Sequence, residues 1–227
     1  MKKSTVSFLV AVSALAFMAG CGNGTKESPE KSEAAEENVQ DYQEETDGAA
    51  AESFAWLPAG VERQEAETEP NEELRQLIVD YYEIPDYELA DSRYYYSYVD
   101  LDSDGKNEIF AVVAGSYTSG SGGSSALWCE EQEGVLQIKQ AFTLVNIPII
   151  VEDNEEGGPK KMIVERSGGG AATEYVELIC TDGVYNSVSE AEPAADLKNL
   201  QGVAILCNDM ADDLETGNYL TLEEPQQ

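Results

Sequence analysis

The 227-residue chain contains no histidine, and it has only 13 lysine and arginine residues against 45 aspartate and glutamate residues. Without imidazole it cannot form a Ser-His-Asp or Cys-His catalytic group, a histidine-ligated zinc site or a histidine general base. Its formal net charge of −32 repels the phosphates of nucleic acids and of anionic lipid headgroups. We therefore expect no conventional active site and no nucleic-acid partner, whereas cations and basic partners suit this composition.

The first twenty residues are typical of an export signal. Lys2 and Lys3 form a positively charged start, and the apolar stretch from Val6 to Ala19 is shorter than the roughly 20 residues that a membrane-spanning helix needs. The stretch ends in Met18-Ala19-Gly20-Cys21, which resembles the lipobox of bacterial lipoproteins, with methionine where leucine is usual. The resemblance implies cleavage before Cys21, a diacylglyceryl group on its sulfur and a fatty acyl group on its amine, which anchor the protein at the extracytoplasmic face of the cell membrane. The alternative is an ordinary secretory signal.

Residues 22–70 are predicted to form an acidic, disordered tether. The segment holds 14 acidic and 3 basic residues, so it cannot bury enough apolar surface to offset chain entropy. One apolar interruption, Phe54-Ala55-Trp56-Leu57-Pro58, either binds a partner or packs on the chain's own domain. We therefore divide the chain into a signal at 1–20, a lipidated Cys21 and tether at 21–70, a folded domain at 71–222 and a tail at 223–227.

The folded domain is predicted to be mainly β with one leading helix. Asn71 precedes this helix, two glutamates suit its first turn, and Pro85 lies beyond its end. Its apolar face comprises Leu74, Leu77, Ile78, Tyr81 and Tyr82. Strands are predicted by their alternating or apolar pattern at 93–99, 108–114, 126–130, 136–142, 148–151, 161–165, 175–180 and 203–207. The connections are too short for helical crossovers, which favours the α+β class, with the helix packed on an antiparallel sheet or small sandwich.

Residues 99–125 and 151–170 share a pattern in which an acidic turn leads into an apolar strand and then a glycine-rich loop. Such a pattern is expected of duplicated hairpins, and chance similarity between acidic turns is the alternative. In the second copy the turn carries Glu152, Asn154 and Glu156. Their longer side chains and the missing aspartate make this turn a degenerate cation site at best.

The most specific motif is Asp100-Leu101-Asp102-Ser103-Asp104-Gly105-Lys106-Asn107-Glu108. Carboxylates at its first, third and fifth positions point inward from a tight turn, and glycine at the sixth position allows the bend. Oxygen ligands in this order suit Ca²⁺. An EF-hand would need an apolar eighth residue and a glutamate at the twelfth position, but these are Asn107 and Ala111. The motif also lies between predicted strands, so a helix-loop-helix interpretation fails.

The motif instead resembles the DxDxDGxxD/E calcium loops of integrin-type and VCBS-like β-repeat proteins, in which an acidic ninth residue completes the ligand set. The resemblance implies a carbonyl ligand at Lys106 and side-chain ligands at Asp100, Asp102, Asp104 and Glu108. An acidic turn that holds no cation is the alternative, because Asp and Gly also suit turns. Residues 72–207 combine this motif with a tyrosine-rich strand and glycine-rich loops. In this combination they resemble small lipid-anchored proteins of Gram-positive bacteria. That similarity implies a location and a fold type but no reaction.

Three further cysteines, Cys129, Cys180 and Cys207, each lie at or near the end of an apolar strand. The sequence has no Cys-x-x-Cys pair, and none of the three has a basic neighbour that would stabilise a thiolate. Buried free thiols are therefore favoured over a single structural disulfide, and a redox role has little support.

These observations predict a lipid-anchored, non-catalytic, calcium-binding module outside the cytoplasm that contacts an envelope component or a protein partner. Two other functions stay open. One is an acidic sensor or inhibitory subunit for a basic partner, and the other is a carboxylate-based hydrolase, for which no acid has a recognisable catalytic setting. No residue identifies a substrate.

Overall fold

The computed structural model describes residues 54–154 and 157–224. The predicted export signal at 1–20, the lipidation candidate Cys21 and the tether up to residue 53 lie outside the described residues. Within the described part of the chain, no helix is long and apolar enough to cross a membrane. These residues form a mainly β fold of the α+β class with antiparallel sheets, as the sequence predicts.

The bounds of the predicted elements agree well with the structure for the long strands. The helices are α1 (Glu72–Tyr82) and α2 (Met210–Thr216). The strands are β1 (Val61–Arg63), β2 (Arg93–Val99), β3 (Glu108–Ala114), β4 (Ser119–Gly120), β5 (Gly123–Gln132), β6 (Val135–Val145), β7 (Ile149–Glu152), β8 (Lys161–Arg166), β9 (Glu174–Leu178), β10 (Cys180–Thr181), β11 (Val184–Tyr185), β12 (Glu192–Pro193), β13 (Gly202–Ile205) and β14 (Leu220–Thr221).

The long strands belong to two sheets. The front sheet has the strand order β14-β2-β3-β5-β4, with β6 also paired to β5. The back sheet has the order β1-β13-β7-β8-β9-β12. All neighbours in both sheets are antiparallel except β1 and β13, which run parallel. The short strands β10 and β11 form a separate two-stranded ladder.

The two stretches that share the acidic-turn pattern occupy corresponding places in the two sheets. In the front sheet β2 and β3 form a hairpin around the acidic loop, and β5 pairs with β3. In the back sheet β7 and β8 form a hairpin around the second acidic turn, and β9 pairs with β8. The similarity therefore extends from the turns to the order of the strands, which supports duplicated hairpins over chance.

A single core lies between the two sheets, which makes the fold a sandwich. Because side chains alternate along a strand, every second residue of each central strand points into this core. Its large members are Tyr95, Phe110, Trp128, Phe142, Ile149, Met162, Val164, Val176 and Ile205. Full burial of one such large apolar side chain stabilises the fold by about 1.5–3 kcal/mol. Of the two architectures that the sequence allows, the sandwich is confirmed.

The helix α1 covers the outer face of the front sheet. Its N-cap, Asn71, accepts a hydrogen bond from the Leu74 amide at 2.9 Å, and the chain leaves the helix through Glu83 in the left-handed conformation. Leu74 and Ile78 are fully buried against the sheet, together with Tyr94, Tyr96, Ile109, Val113, Leu127 and Leu136. The leading helix of the prediction is therefore present and packs as expected.

The outer face of the back sheet is covered by residues that the sequence assigned to the tether. Phe54 is buried in an apolar cluster with Ile150, Ile163 and Leu200, and the Trp56 ring lies 4.8 Å from that of Tyr175 between centroids. The strand β1 pairs with β13 at the edge of the same sheet. Part of the predicted tether, from residue 54 onward, is therefore folded. The motif around Phe54 packs on its own domain, because the back sheet has a second apolar face to cover.

The three cysteines within the described residues are free thiols. Cys129 belongs to the layer between α1 and the front sheet, whereas Cys207 belongs to the cluster behind the back sheet. Burial raises the pKa of Cys129 to about 12, and it also raises the pKa of Cys207 and of Cys180. Cys129 and Cys207 are thus buried free thiols, as the sequence favours, whereas Cys180 is only half-buried.

Candidate metal site

The acidic motif forms the loop between β2 and β3, at one end of the sandwich. The ladder between these strands ends with Val99 opposite Glu108. Because this pair closes the loop, the ninth residue of the motif is brought back beside the first. The position of Glu108 next to Asp100 therefore follows from strand register and not from the turn alone.

Four carboxylates of this loop converge on one point. One oxygen from each of Asp100, Asp102, Asp104 and Glu108 lies within 4.8 Å of the others. Because Ca²⁺ binds oxygen at about 2.3–2.6 Å, two ligands of one ion are at most about 5 Å apart. The spacing of the four oxygens thus fits a single cation, and their hard oxygen chemistry suits Ca²⁺. The side chains that the sequence predicts as ligands are the ones that the fold brings together.

Backbone amides of the loop hold the aspartates in place. The Asp104 amide donates to Asp100 Oδ1 at 3.1 Å, and the Gly105 amide donates to Asp100 Oδ2 at 3.1 Å. The Lys106 amide donates to Asp104 Oδ1 at 2.8 Å. Gly105 has a φ of +88°, a left-handed conformation that glycine adopts without strain. The role of the Lys106 carbonyl as a ligand stays a prediction.

Glu108 forms the buried floor of the loop. Its side chain is only 5% exposed, and its Oε2 accepts hydrogen bonds from the Leu101 amide at 2.8 Å and from the Trp128 indole nitrogen at 3.4 Å. Burial raises the pKa of Glu108, and the charge of Asp102 raises it further, although the Leu101 hydrogen bond opposes the shift. A carboxylate buried among other acids is stabilised when a cation binds beside it.

Lys139 of β6 contributes a positive charge that the sequence analysis did not identify. Its ammonium nitrogen lies 2.7 Å from Asp102 Oδ2, 2.8 Å from Glu130 Oε2 and 4.4 Å from the centre of the Trp128 ring. Burial raises the pKa of Asp102, but the hydrogen bond and the charge of Lys139 outweigh this effect and leave that pKa below its ordinary value. Two acidic side chains, those of Asp102 and Glu130, therefore hold one largely buried ammonium group beside the acidic loop.

A β-bulge directs Lys139 toward the loop. The ladder between β5 and β6 pairs Trp128 with Gln140 and Cys129 with Ile138. Lys139 is therefore an extra residue on β6 that has no paired residue on β5. A bulge of this kind bends the strand and re-aims the side chain. Only the three-dimensional pairing reveals it, because Lys139 stands well outside the motif in sequence.

The loop is also attached to the back sheet. Leu101 is fully buried, and its carbonyl accepts hydrogen bonds from the Lys160 amide at 2.8 Å and from the Tyr185 hydroxyl at 3.4 Å. The same hydroxyl donates to the Lys160 carbonyl at 2.7 Å. The side chain of Gln140 holds the backbone of Tyr185 through two hydrogen bonds, of 2.8 and 2.9 Å. The acidic loop therefore lies where the two sheets are joined.

The second acidic turn, between β7 and β8, has a different arrangement. Asp153 forms an exposed ion pair with Lys160 at 3.2 Å, and the Gly157 amide donates to the Asn154 carbonyl at 2.8 Å. Glu156, which the pattern predicted in this turn, lies outside the described residues. Among the residues that the structure describes, a cluster of acids suited to a metal ion occurs in the β2–β3 loop and not in this turn.

Comparison of the chain with models of protein families, with curated proteins and with solved structures gives no match in any of the three. The groups in and around the β2–β3 loop are four converging carboxylates, whose oxygens can coordinate a hard cation, and main-chain amides and one ammonium group, which bind those carboxylates.

Proposed function

We propose that the protein is a non-catalytic module that binds Ca²⁺ through the β2–β3 loop and is held at the extracytoplasmic face of the cell membrane by lipidation of Cys21. The observation that supports calcium binding is the convergence of four carboxylate oxygens within 4.8 Å of one another. The ligands in this proposal are the Lys106 carbonyl and the side chains of Asp100, Asp102, Asp104 and Glu108.

The calcium ion has a structural role in this proposal. The loop meets the back sheet through Leu101, so an ion that rigidifies the loop also fixes the junction of the two sheets. Extracellular modules with calcium loops commonly need dissociation constants of only about 10⁻⁴ to 10⁻³ M, because calcium is abundant outside the cytoplasm.

The domain presents a strongly acidic surface to an envelope component or a protein partner. The formal charge of the whole chain is −32, and its acidic residues continue from the tether into the domain, which favours basic partners and disfavours nucleic acid. The same charge supports a second candidate function, an acidic sensor or inhibitory subunit that captures a basic partner.

A pull-down from envelope extract at low and high salt separates these two candidate functions. Capture that is lost at high salt indicates a charge-driven partner, whereas retained capture indicates a shape-specific contact.

Lipid anchoring is tested at Cys21. Cells that express the chain are grown with an alkyne-labelled fatty acid, and the membrane fraction is probed for the label. The proposal predicts labelled protein in the membrane fraction and loss of both label and membrane association in Cys21→Ala. Unlabelled wild-type protein in the medium would contradict the proposal.

Calcium binding is tested by thermal unfolding of the chain from Gly22 to Gln227 in EDTA and in millimolar Ca²⁺. At about 10 mM Ca²⁺, which is a ten- to hundredfold excess over a dissociation constant of about 10⁻⁴ to 10⁻³ M, binding to the folded state adds about 1.4–2.7 kcal/mol of stability, which raises the melting temperature by about 3–10 °C for a domain of this size. Asp102→Ala and Asp104→Ala are expected to lose this rise. Asp153→Ala, in the second acidic turn, is the matched control and should keep it. A melting temperature that is the same in EDTA and Ca²⁺ would contradict the proposal.

A further inference from the structure

Lys139 lies between two carboxylates that differ in their relation to the acidic loop. Its ammonium nitrogen is 2.7 Å from Asp102 Oδ2 and 2.8 Å from Glu130 Oε2. Asp102 is one of the four carboxylates that converge in the β2–β3 loop, whereas Glu130 belongs to β5 and is not part of that cluster. The ammonium group therefore has one partner inside the proposed calcium site and one partner outside it.

Two side chains of β5 bind the ammonium group independently of the loop. Glu130 and Trp128 are two positions apart on this strand, so their side chains lie on the same face of the sheet. The Trp128 ring attracts the ammonium group through a cation–π contact, with the nitrogen 4.4 Å from the ring centre. The other oxygen of Glu130 accepts a hydrogen bond from the side-chain amide of Gln132, which fixes the carboxylate. These contacts do not depend on Asp102.

The ion pair between Lys139 and Glu130 is partly shielded from water. The two side chains are 19% and 24% exposed, and salt screens a partly buried pair less than an exposed one. This ion pair can therefore hold the ammonium group when Asp102 is engaged elsewhere.

A calcium ion in the loop competes with Lys139 for Asp102. The ion and the ammonium group are both positive, so they repel each other. Without Glu130, a largely buried ammonium group would either stay beside the ion or lose its carboxylate partner, and each alternative costs free energy. With Glu130, the ammonium group leaves Asp102 and keeps an ion pair.

We propose that Glu130 is a positioning residue for the calcium loop: when Ca²⁺ binds, Glu130 retains the Lys139 ammonium group that Asp102 releases. Glu130 does not touch the ion in this scheme and acts through Lys139. It raises the affinity of the loop for calcium because it lowers the cost of separating Lys139 from Asp102. The inference rests on the proposed function and adds to it a residue outside the motif that regulates the same site.

The test is a double-mutant cycle in calcium affinity, measured by isothermal titration calorimetry of the full-length protein in detergent. It compares the wild type, Glu130→Gln, Lys139→Met and the double variant. Loss of the Glu130 charge weakens calcium binding by the same Coulomb effect in both backgrounds, but loss of the second partner of Lys139 adds to this effect only where Lys139 is present. Glu130→Gln should therefore weaken calcium binding by a factor at least about threefold larger in the wild-type background than in Lys139→Met.

Glu131→Gln is the matched control. It removes the same charge from the next position of β5, on the opposite face of the strand, where Glu131 is exposed. Its effect on calcium affinity should be the same with and without Lys139. A merely structural role of Glu130 would likewise change the affinity by the same factor in both backgrounds, so the difference between the backgrounds reports the contact with Lys139.

Acetylation of lysine measures the release of the ammonium group without the Lys139→Met background. The full-length protein is treated briefly with acetic anhydride in EDTA and in Ca²⁺, and mass spectrometry gives the labelled fraction of Lys139. Calcium should raise this fraction in Glu130→Gln, where Glu130 no longer holds the ammonium group, and raise it much less in the wild type. Lys198, which is exposed, is the internal control and should be labelled equally throughout.

Two results would overturn this inference while calcium binding itself stands. One is an effect of Glu130→Gln on calcium affinity that is equal or smaller in the wild-type background than in Lys139→Met. The other is labelling of Lys139 that calcium leaves unchanged, or raises equally in the wild type and in Glu130→Gln. Absence of saturable calcium binding in both the wild type and Lys139→Met would instead contradict the proposed function, and this inference with it.

Discussion

The ammonium nitrogen of Lys139 lies 2.7 Å from Asp102 Oδ2, so the chain places a cation of its own against one of the four converging carboxylates. This contact reduces the repulsion within the acidic loop when no metal is bound. The ammonium group of Lys139 also repels a Ca²⁺ ion that approaches the loop. Lys139 is therefore expected to stabilise the metal-free loop and to weaken calcium binding at the same time.

Replacement of this residue, in Lys139→Met, is predicted to tighten calcium binding by at least about tenfold, because an ammonium group and a divalent cation about 5 Å apart repel each other by about 1.7 kcal/mol even at the dielectric constant of water. The same variant should be less stable than the wild type in EDTA. Calcium titration and thermal unfolding measure the two effects. Lys198→Met is the control, because that lysine is exposed and lies outside the acidic loop, so its replacement should change the affinity little. Weaker calcium binding in Lys139→Met would contradict this account of Lys139.

The pH dependence of stability is predicted to include a contribution from Asp213. Burial raises its pKa above the ordinary value of 3.8, although the hydrogen bonds from Asn208 and Asn218 offset part of the shift. A carboxyl group whose pKa is higher in the folded state binds protons more readily when folded. Its contribution to stability is therefore greatest at low pH and declines as the pH rises from the unfolded pKa through the folded one.

Asp213→Asn removes this decline. The free energy of unfolding of this variant minus that of the wild type should therefore increase as the pH rises from about 4 to 7. Urea denaturation at a series of pH values measures the difference. A difference that stays constant or decreases with pH would show that Asp213 does not titrate as its burial implies.

The junction of β13 with β7 is predicted to depend on Gly202. This residue has a φ of +133°, and a Cβ atom there would lie 2.2 Å from the Val151 carbonyl oxygen. Gly202→Ala should therefore destabilise the fold by more than about 2 kcal/mol, because it adds a clash with backbone to an unfavourable φ. Gly134→Ala is the matched control. Gly134 also has a positive φ, of +81°, but open space around it, so only the strain of about 1–2 kcal/mol applies. Equal losses in chemical denaturation would contradict the role given to the clash.

The packing of the N-terminal segment is tested at Phe54, which is buried behind the back sheet. Phe54→Ala should destabilise the domain by about 3 kcal/mol or more, as expected when a buried phenylalanine is truncated. Val184→Ala, at a side chain that is 60% exposed, should stay within about 0.5 kcal/mol of the wild type. If Phe54→Ala is as stable as the control, residues 54–58 belong to the tether after all.

Much of the fold and the acidic cluster were predictable because the signals are local in sequence. The strands β2 and β3 have the predicted bounds, since both are long and apolar or aromatic and each is flanked by turn residues. The acidic residues of the β2–β3 loop lie within nine positions of one another, and the tight turn and the hairpin register bring them together. The helix α1 was evident from its spacing and its N-cap.

The elements that the sequence analysis missed depend on tertiary contacts. The strands β1, β4, β11, β12 and β14 have two or three residues each, too few for any periodicity to be visible. The helix α2 has seven residues, and its signals, Asp209 as N-cap and Gly217 after its end, are common in turns as well. Lys139 reaches the loop through a bulge in a distant hairpin, which no local pattern encodes.

The central claim, that the β2–β3 loop binds Ca²⁺, is tested most directly by isothermal titration calorimetry of the calcium-free chain from Gly22 to Gln227. The account predicts one saturable site with a dissociation constant of about 10⁻⁴ to 10⁻³ M. Binding should be weakened at least about tenfold in Asp104→Asn and unchanged in Asp153→Asn. Absence of saturable binding in the wild type, or equal binding in Asp104→Asn, would contradict the claim.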